Sequence, residues 1–415
     1  MGGFAGILRG EKIESRVLQI CIYCITFAVT MQWFENFLAT YHTEGLVIAL
    51  VGVLFFLFQI GAVTRFSRVA AYRMGRRKPI REEGQPVSLI IPMFGEDYTF
   101  IEDRLPLLFE QDYPLLEVVI VYVGQDSDFH EELTRLRMHF PHLVVTRVHL
   151  DSRFPVSRKI ALNIGIKAAH NECMIFSSTD TLPRSKRWIS LMAKGFTRGD
   201  VVLGYSAPER KPGLVNRMVR TGNLFRSAAW LARAASGKPY RGSLHNFGFT
   251  RSLYFDPKVN GFNHLGMNIG EHDLFLQQVA TRQNTSLVLS PSASVDRKLW
   301  STLGWWISQL RYFGAASRFY SGKVKWHFVS EQLTRVIFFA TAIYALIAMP
   351  APFRWGAAAL LVVRYLLLQW QLYRLTRRLG ERGILGSYLL YDLFSPLWNL
   401  LLGLLLLRKD ERVWR

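Results

Sequence analysis

Cysteine is nearly absent: the 415 residues hold three, Cys21, Cys24 and Cys173. That excludes a disulfide framework. Cys21 and Cys24 do form a C-x-x-C, but inside an uncharged apolar run, where the pair reads as packing cysteines rather than a redox dithiol. Acidic residues are also scarce, with 31 Asp+Glu against 51 Lys+Arg and a net charge of +20. This balance suits an anionic partner. Nucleic acid fits worst, because the basic residues flank apolar spans and no nucleic-acid module is present. There are no internal repeats and no low-complexity linkers, so the repeated halves of a transporter are missing too. The first apolar run lacks a small-residue cleavage site and is soon followed by a second, so it reads as a retained span.

What the chain does have is apolar length. Half of its residues are hydrophobic. Val17 to Phe34 is an uncharged run of 18 residues, and Leu46 to Val63 is a second. Each is just long enough to cross a bilayer. The connection Glu35 to Glu44 has no Lys or Arg, whereas Arg9, Lys12 and Arg16 precede the hairpin and Arg65, Arg68, Arg73, Arg76, Arg77 and Lys78 follow it. The positive-inside rule puts both flanks in the cytoplasm. Two further spans are predicted over Val336–Pro350 and Trp355–Tyr373, the second containing Arg364, a functional candidate by its position. Ile384 to Leu407 is apolar but interrupted by Asp392 and Pro396; it either crosses once or bends at Pro396, and the basic tail Arg408–Arg415 favours the bend.

Between the spans lies a soluble body of alternating strands and helices. Strands are predicted at Val87–Ile91, Leu116–Val123, Leu143–Val148 and Glu172–Ser177, with helices at Tyr98–Gln111, Phe129–His139 and Arg158–Ala169. Continuous apolar strands separated by helices predict a parallel α/β sheet, with ligands at the carboxyl ends of its strands. Leu214–Ala235 and Thr302–Tyr320 are basic, aromatic helices, expected in the membrane interface.

Chemistry is expected at four places. Ile91-Pro-Met-Phe-Gly-Glu96-Asp97 ends a strand with acids that can meet a nucleotide. Asp180, after the strand at Phe176, can hold Mg²⁺ or Mn²⁺ on a diphosphate, or else cap the helix near Pro183–Lys194. Glu271-His272-Asp273 opens a helix and supplies a candidate general base. Arg311, beside Trp305-Trp306 and Tyr312, can clamp a diphosphate leaving group.

In order, these landmarks resemble the family 2 glycosyltransferases of the GT-A (Rossmann-like) fold, in particular the membrane-bound subgroup with two leading and several trailing spans. The match covers about Pro86 to Tyr320: Val87-Ser-Leu-Ile-Ile-Pro92 with Glu96; Gln111-Asp-Tyr-Pro114 with Glu117; Lys159; Asp180 with Pro183 and Trp188; Val201-Val-Leu-Gly204; Asn246 with Phe249 and Arg251; Gly270-Glu271 with Asp273-Leu-Phe275; and Arg311. The resemblance implies a nucleotide-sugar donor, usually a UDP-sugar, a divalent cation and an inverting displacement with an acidic base.

The sequence departs from the pattern in several places. The usual Asp after Val123 is Gly124, the Asn before Glu96 is Gly95, D-x-D reads Ser178-Thr-Asp180, and Glu-Asp reads Glu271-His272. Q-x-x-R-W reads Ser308-Gln-Leu-Arg311-Tyr312, which argues against a processive synthase.

The resulting expectation is a multi-pass inner-membrane protein. Its parts are a transmembrane hairpin over 1–80, a cytoplasmic transferase domain over 81–300, interfacial helices over 301–332 and trailing spans over 333–415. Pro92, Glu96, Asp126, Asp128, Lys159, Asp180 and Arg311 would bind the donor. Asp180 would hold the metal, and Asp273, His272 or Glu271 would be the base. Asn246, Trp230, Trp305 and Trp306 would line the path of a lipid or lipid-linked acceptor. The alternative is a degenerate member that binds without turnover.

Overall fold

The computed structural model describes residues 44–76, 78–149, 156–259, 271–298, 302–317 and 319–407. The first predicted span with Cys21 and Cys24, Arg77, Gly270 and the tail Arg408–Arg415 lie outside the described residues. The chain divides into two compact units, residues 1–59 with 334–364, and residues 60–333 with 365–415. The second unit is therefore larger than the expected transferase domain, because it also takes in the last helices.

The larger unit is built on strands buried on both faces. They are β1 (Val87–Phe94), β2 (Leu116–Val123), β3 (Leu143–Val148) and β4 (Cys173–Phe176), paired in parallel in the order β3-β2-β1-β4. Strand alternation sends Leu89, Ile91 and Ile120 into one apolar cluster and Ile90, Val119 and Val121 into the other, as side chains of period two require. Between β2 and β3 runs α3 (Ser127–Arg135); α4 (Arg158–Ala168) precedes β4. The helix α4 packs so closely on β1 and β2 that a Cβ at Gly165 would lie 2.5 Å from a methyl of Ile90. The turn before β2 contains α2 (Leu105–Phe109).

The second half of the sheet departs from the all-parallel expectation. β6 (Val201–Gly204), β8 (Phe247–Thr250) and β9 (Thr285–Val288) extend it in the order β4-β8-β6-β9, with β8 antiparallel to both neighbours. The direction of β8 has a consequence. Its first residue, Phe247, pairs with Phe176, the last of β4. Residues just before β8 therefore stand beside residues just after β4. A second sheet of three short strands, β5 (Thr181–Pro183), β7 (Ser206–Pro208) and β10 (Val295–Arg297), sets Arg297 opposite both Thr181 and Pro208.

Helix α5 (Trp188–Phe196) starts well after Asp180, which caps nothing there. Helix α6 (Leu214–Ala235) is buried over most of its circumference, including Arg220, Leu224, Ala228, Trp230 and Leu231. It is a core helix, not one lying with a single face in lipid: Phe225 stacks on Tyr391, 5.3 Å between centroids. The remaining elements of the body are α7 (Arg251–Tyr254), α8 (Glu271–Val279) and α9 (Leu303–Ser317).

Three helices among the described residues are long and apolar enough to cross a membrane: α1 (Glu44–Ala71), α10 (Gly322–Ala348) and α11 (Ala351–Leu379). Their outward side chains are large and apolar, such as Leu50 (70% exposed), Ile347 (73%) and Trp355 (75%), a surface that water does not tolerate over such length. In the smaller unit Arg364 is buried, donates to Gln59 at 3.3 Å and lies over the rings of Phe338 and Phe339. These contacts give Arg364 a packing role.

The last helix, α12 (Tyr388–Leu407), runs unbroken through Pro396. Proline leaves the carbonyl four residues back without its amide. Here Ser395 Oγ donates to that carbonyl, Asp392 O, at 3.1 Å. The predicted bend at Pro396 is absent for this reason. The turn before α12 is tied to the body by Glu381, whose buried carboxylate meets Arg220, Arg184 (3.3 Å) and the hydroxyl of Tyr205 (3.0 Å).

Candidate active site

A cavity of about 500 Å³ opens at the carboxyl edge of the sheet, where the strand order reverses and where ligands of such sheets bind. The crossing of the two sheets explains what lines it. Asp180 follows β4, His245 precedes antiparallel β8, and Arg297 ends β10 with Lys298 N donating to Asp180 O at 2.8 Å. His245 Nε2 lies 3.4 Å from Asp180 Oδ1. Arg104 donates to Thr179 O and so steadies the loop that carries Asp180.

Electrostatics keeps Asp180 ionised. Burial alone would raise its pKa, but His245 and Arg297 together hold the carboxyl well below the usual range. Burial pushes the imidazole of His245 the other way from a charged histidine, down to about 4, against the pull of Asp180 and helped by Arg297 and Arg158. At neutral pH this is a carboxylate beside a neutral imidazole.

Asp180 Oδ1 is buried and has no hydrogen-bond partner among the described residues. A hard carboxylate oxygen next to a neutral imidazole suits Mg²⁺ or Mn²⁺. Among the described residues no three His, Cys, Asp or Glu side chains gather for a metal. The two donors would therefore hold an ion whose other ligands come from a diphosphate and water.

The same cavity is bordered by a histidine–aspartate pair. His272 Nε2 lies 3.0 Å from Asp273 Oδ1. Asp273 is 1% exposed, and its other contacts are Tyr320, which donates to Oδ2, Gly242 N (3.4 Å) and Arg241 Nε (3.5 Å). Burial would raise its pKa, but His272, Arg241 and the hydroxyl of Tyr320 outweigh it and keep the carboxylate charged. Asp273 is thus fully engaged behind the cavity wall, while His272 lines the cavity. In the tautomer whose Nε2–H donates to Asp273, the lone pair is on Nδ1. That Nδ1 is buried without a partner among the described residues. Of the pair, only His272 lines the cavity. Glu271 opens α8, and its side chain lies outside what the structure describes.

None of the other predicted donor residues lines this cavity. Glu96 accepts from Tyr122 at 2.7 Å, Asp126 caps α3 by accepting from Phe129 N at 2.9 Å, and Asp128 is exposed on the first turn of α3. Pro92 is buried within β1, Lys159 sits on α4, and Arg311 is exposed on α9; none of these lines the cavity. The missing Asp after Val123 has a steric reason. A Cβ at Gly124 would come within 2.3 Å of the buried Tyr122 ring, whose hydroxyl, pushed up to about 12 by burial and by Glu96, is occupied by Glu96.

Among the acceptor candidates, Trp230 and Trp305 line the cavity. Trp306 instead packs with Val219 and Leu310. Asn246 is buried and wholly structural: it accepts from Trp188 Nε1 (2.9 Å) and donates to Tyr205 O (2.9 Å) and Ala293 O (2.8 Å). Residues not foreseen complete the lining, chiefly His245, Arg158, Arg226, Arg241, Arg297 and Lys298. No sequence motif marks them; only strand direction and the second sheet bring them together.

The cavity at the switch point thus joins one carboxylate, Asp180, to a cationic lining of Arg158, Arg226, Arg241, Arg297 and Lys298. No family model matches the chain, and no curated protein matches it. The fold is similar to solved glycosyltransferase structures. One is the mannosyltransferase PcManGT from Pyrobaculum calidifontis in complex with GDP-Man and Mn²⁺, at 20% identity and TM-score 0.49 over 85% of this chain and 99% of that one. Another is S. aureus TarS, at 16% identity and TM-score 0.35 over 70% and 43%. A third is glucosyl-3-phosphoglycerate synthase from Mycobacterium tuberculosis in complex with Mn²⁺, UDP and glucosyl-3-phosphoglycerate, at 14% identity and TM-score 0.32 over 52% and 71%.

Proposed function

We propose that this protein is a membrane-bound glycosyltransferase that moves a sugar from a nucleotide-sugar to a hydroxyl acceptor. The observation that carries the reading is one cavity lined by Asp180 and His245 and also by His272, which Asp273 backs. Arg158, Arg297 and Lys298 stand next to Asp180 and His245 and would bind the diphosphate through charge-assisted hydrogen bonds. A divalent cation held by Asp180 and His245 would neutralise charge on the departing diphosphate. The acceptor oxygen attacks the anomeric carbon as the bond to the diphosphate breaks, and the electron pair leaves on the nucleoside diphosphate. His272 Nδ1 takes the hydroxyl proton, while Asp273 holds the imidazole and stabilises its charge. A single displacement of this kind inverts the anomeric centre.

The basic residues Arg65, Arg68 and Arg73 after the apolar part of α1 support a cytoplasmic body. Trp230 and Trp305 give the acceptor side an apolar wall, which suits a lipid or lipid-linked acceptor and a single transfer.

The test is calorimetric titration of the detergent-solubilised protein with UDP and with GDP, with and without Mn²⁺. Metal-dependent binding of one nucleotide, lost in Asp180→Asn, is expected. Equal affinity in the variant, or no binding of either nucleotide, would sink the donor site.

A further inference from the structure

The smaller unit holds a second cavity, of opposite character. A groove of about 360 Å³ runs between α1, α10 and α11, lined chiefly by Gly52, Phe338, Ala345, Met349, Phe353 and Gly356. Thr341 is the one polar side chain among its described lining residues, and its hydroxyl donates to Ile337 O at 2.9 Å. Such a wall offers water few partners. Small residues open the groove. Gly356 is central to the α11 stripe that faces it, one turn from Pro352 and Phe353 on one side and from Leu360 on the other. A Cβ added at Gly356 would meet nothing within 4 Å.

The length and the mouth of the groove narrow the choice of occupant. Along α10, Phe338 to Met349 is about 16 Å of helical rise. That is the depth of one leaflet, half of the roughly 30 Å hydrocarbon core. At the mouth stands Arg354, whose Nε donates to Met349 O at 2.6 Å. Arg354 is exposed and forms no ion pair among the described residues; Glu44, which begins α1 beside Met349, is not joined to it. It lies in the first turn of α11, where the helix dipole disfavours a cation and favours an anion. Its neighbour Trp355 is exposed as well, and tryptophan in a span marks the headgroup level of a bilayer.

Resting on the reading of α1, α10 and α11 as membrane spans, we infer that this groove binds a phospholipid, with one acyl chain along the groove and the headgroup phosphate on Arg354. The guanidinium supplies charge-assisted hydrogen bonds to the phosphate. The acyl chain fills the space that Gly52, Ala345 and Gly356 leave open, and restores the dispersion contacts that an empty groove forfeits. The lipid is a bound ligand and undergoes no reaction there.

The experiment delipidates the full chain in detergent and titrates it with two probes, read by native mass spectrometry. Dipalmitoylphosphatidylglycerol carries the phosphate; dipalmitoylglycerol has the same chains without it. The phospholipid is expected to bind at least about tenfold tighter. Arg354→Gln should erase that preference, and Arg354→Lys should restore part of it. Gly356→Leu fills the groove without a clash, so it should weaken binding of both probes while the thermal unfolding midpoint holds or rises. Equal binding of the two probes by the native chain, a preference that survives Arg354→Gln, or unchanged binding in Gly356→Leu overturns the inference. So does a lowered midpoint in Gly356→Leu when the native chain retains no lipid, because a part of the chain itself then fills the groove. A chain that stays monodisperse without detergent overturns it together with the membrane reading.

Discussion

Asp273 Oδ1 lies 3.0 Å from His272 Nε2, and the aspartate is the more deeply anchored of the two. On the proposed mechanism His272 is the base, and Asp273, one of the three residues the sequence offered for that part, orients it. His272→Ala should therefore lower kcat by about 10²- to 10⁴-fold, the range for losing a general base. Asp273→Asn should lower kcat less and leave nucleotide affinity intact. Release of nucleoside diphosphate measured against donor concentration separates kcat from KM; an unchanged kcat in His272→Ala would rule out that base.

Stability should depend on pH through His245. The unfolded imidazole takes its proton near pH 6.5, whereas burial in the folded protein holds that off until about pH 4. Between these values the unfolded chain binds more protons, so stability falls as pH drops through the window. Asp180, depressed further, stays ionised throughout it. Thermal unfolding midpoints from pH 7 to pH 4 should show a decline that His245→Gln makes shallower; parallel curves for both proteins would contradict this.

Asn246 holds the indole of Trp188 and two carbonyls at once. Asn246→Ala strands these buried groups, each at about 1–3 kcal/mol. A lower unfolding midpoint is expected, without a specific loss of acceptor use in the folded fraction. Activity per folded molecule is the discriminating measurement, since an acceptor ligand would lose it.

Glu381 joins the turn before α12 to Arg184, Arg220 and Tyr205. Removing one partner of a buried ion cluster leaves uncompensated charge and costs about 3–5 kcal/mol. Glu381→Gln should unfold the body at lower denaturant concentration. A midpoint equal to that of the native chain would mean the cluster is spectator charge.

The strand runs Leu116–Val123 and Leu143–Val148 and the helix Leu214–Ala235 were readable to the residue, because local periodicity and apolar composition suffice to define such elements. Asp180 was readable too, since an apolar strand visibly delivers it. The sequence left a single crossing and a bend at Pro396 both open, because a proline signal carries no record of Ser395 meeting the orphaned carbonyl. Arg311 and Asn246 stood out by motif, yet one faces outward and the other is consumed in the core.

Apolar length and local pattern, read from the sequence, determined the α/β class, the candidate spans and one carboxylate at a strand end, since these depend on neighbours a few residues apart. Tertiary structure decided the rest of the site. His245 reaches Asp180 only because β8 runs backwards, Arg297 only because β10 pairs with β5 and β7, and Asp273 is held away from the cavity only because Tyr320 and Arg241 claim its carboxylate. Such contacts join residues far apart in the chain, and no local pattern encodes which of them will meet.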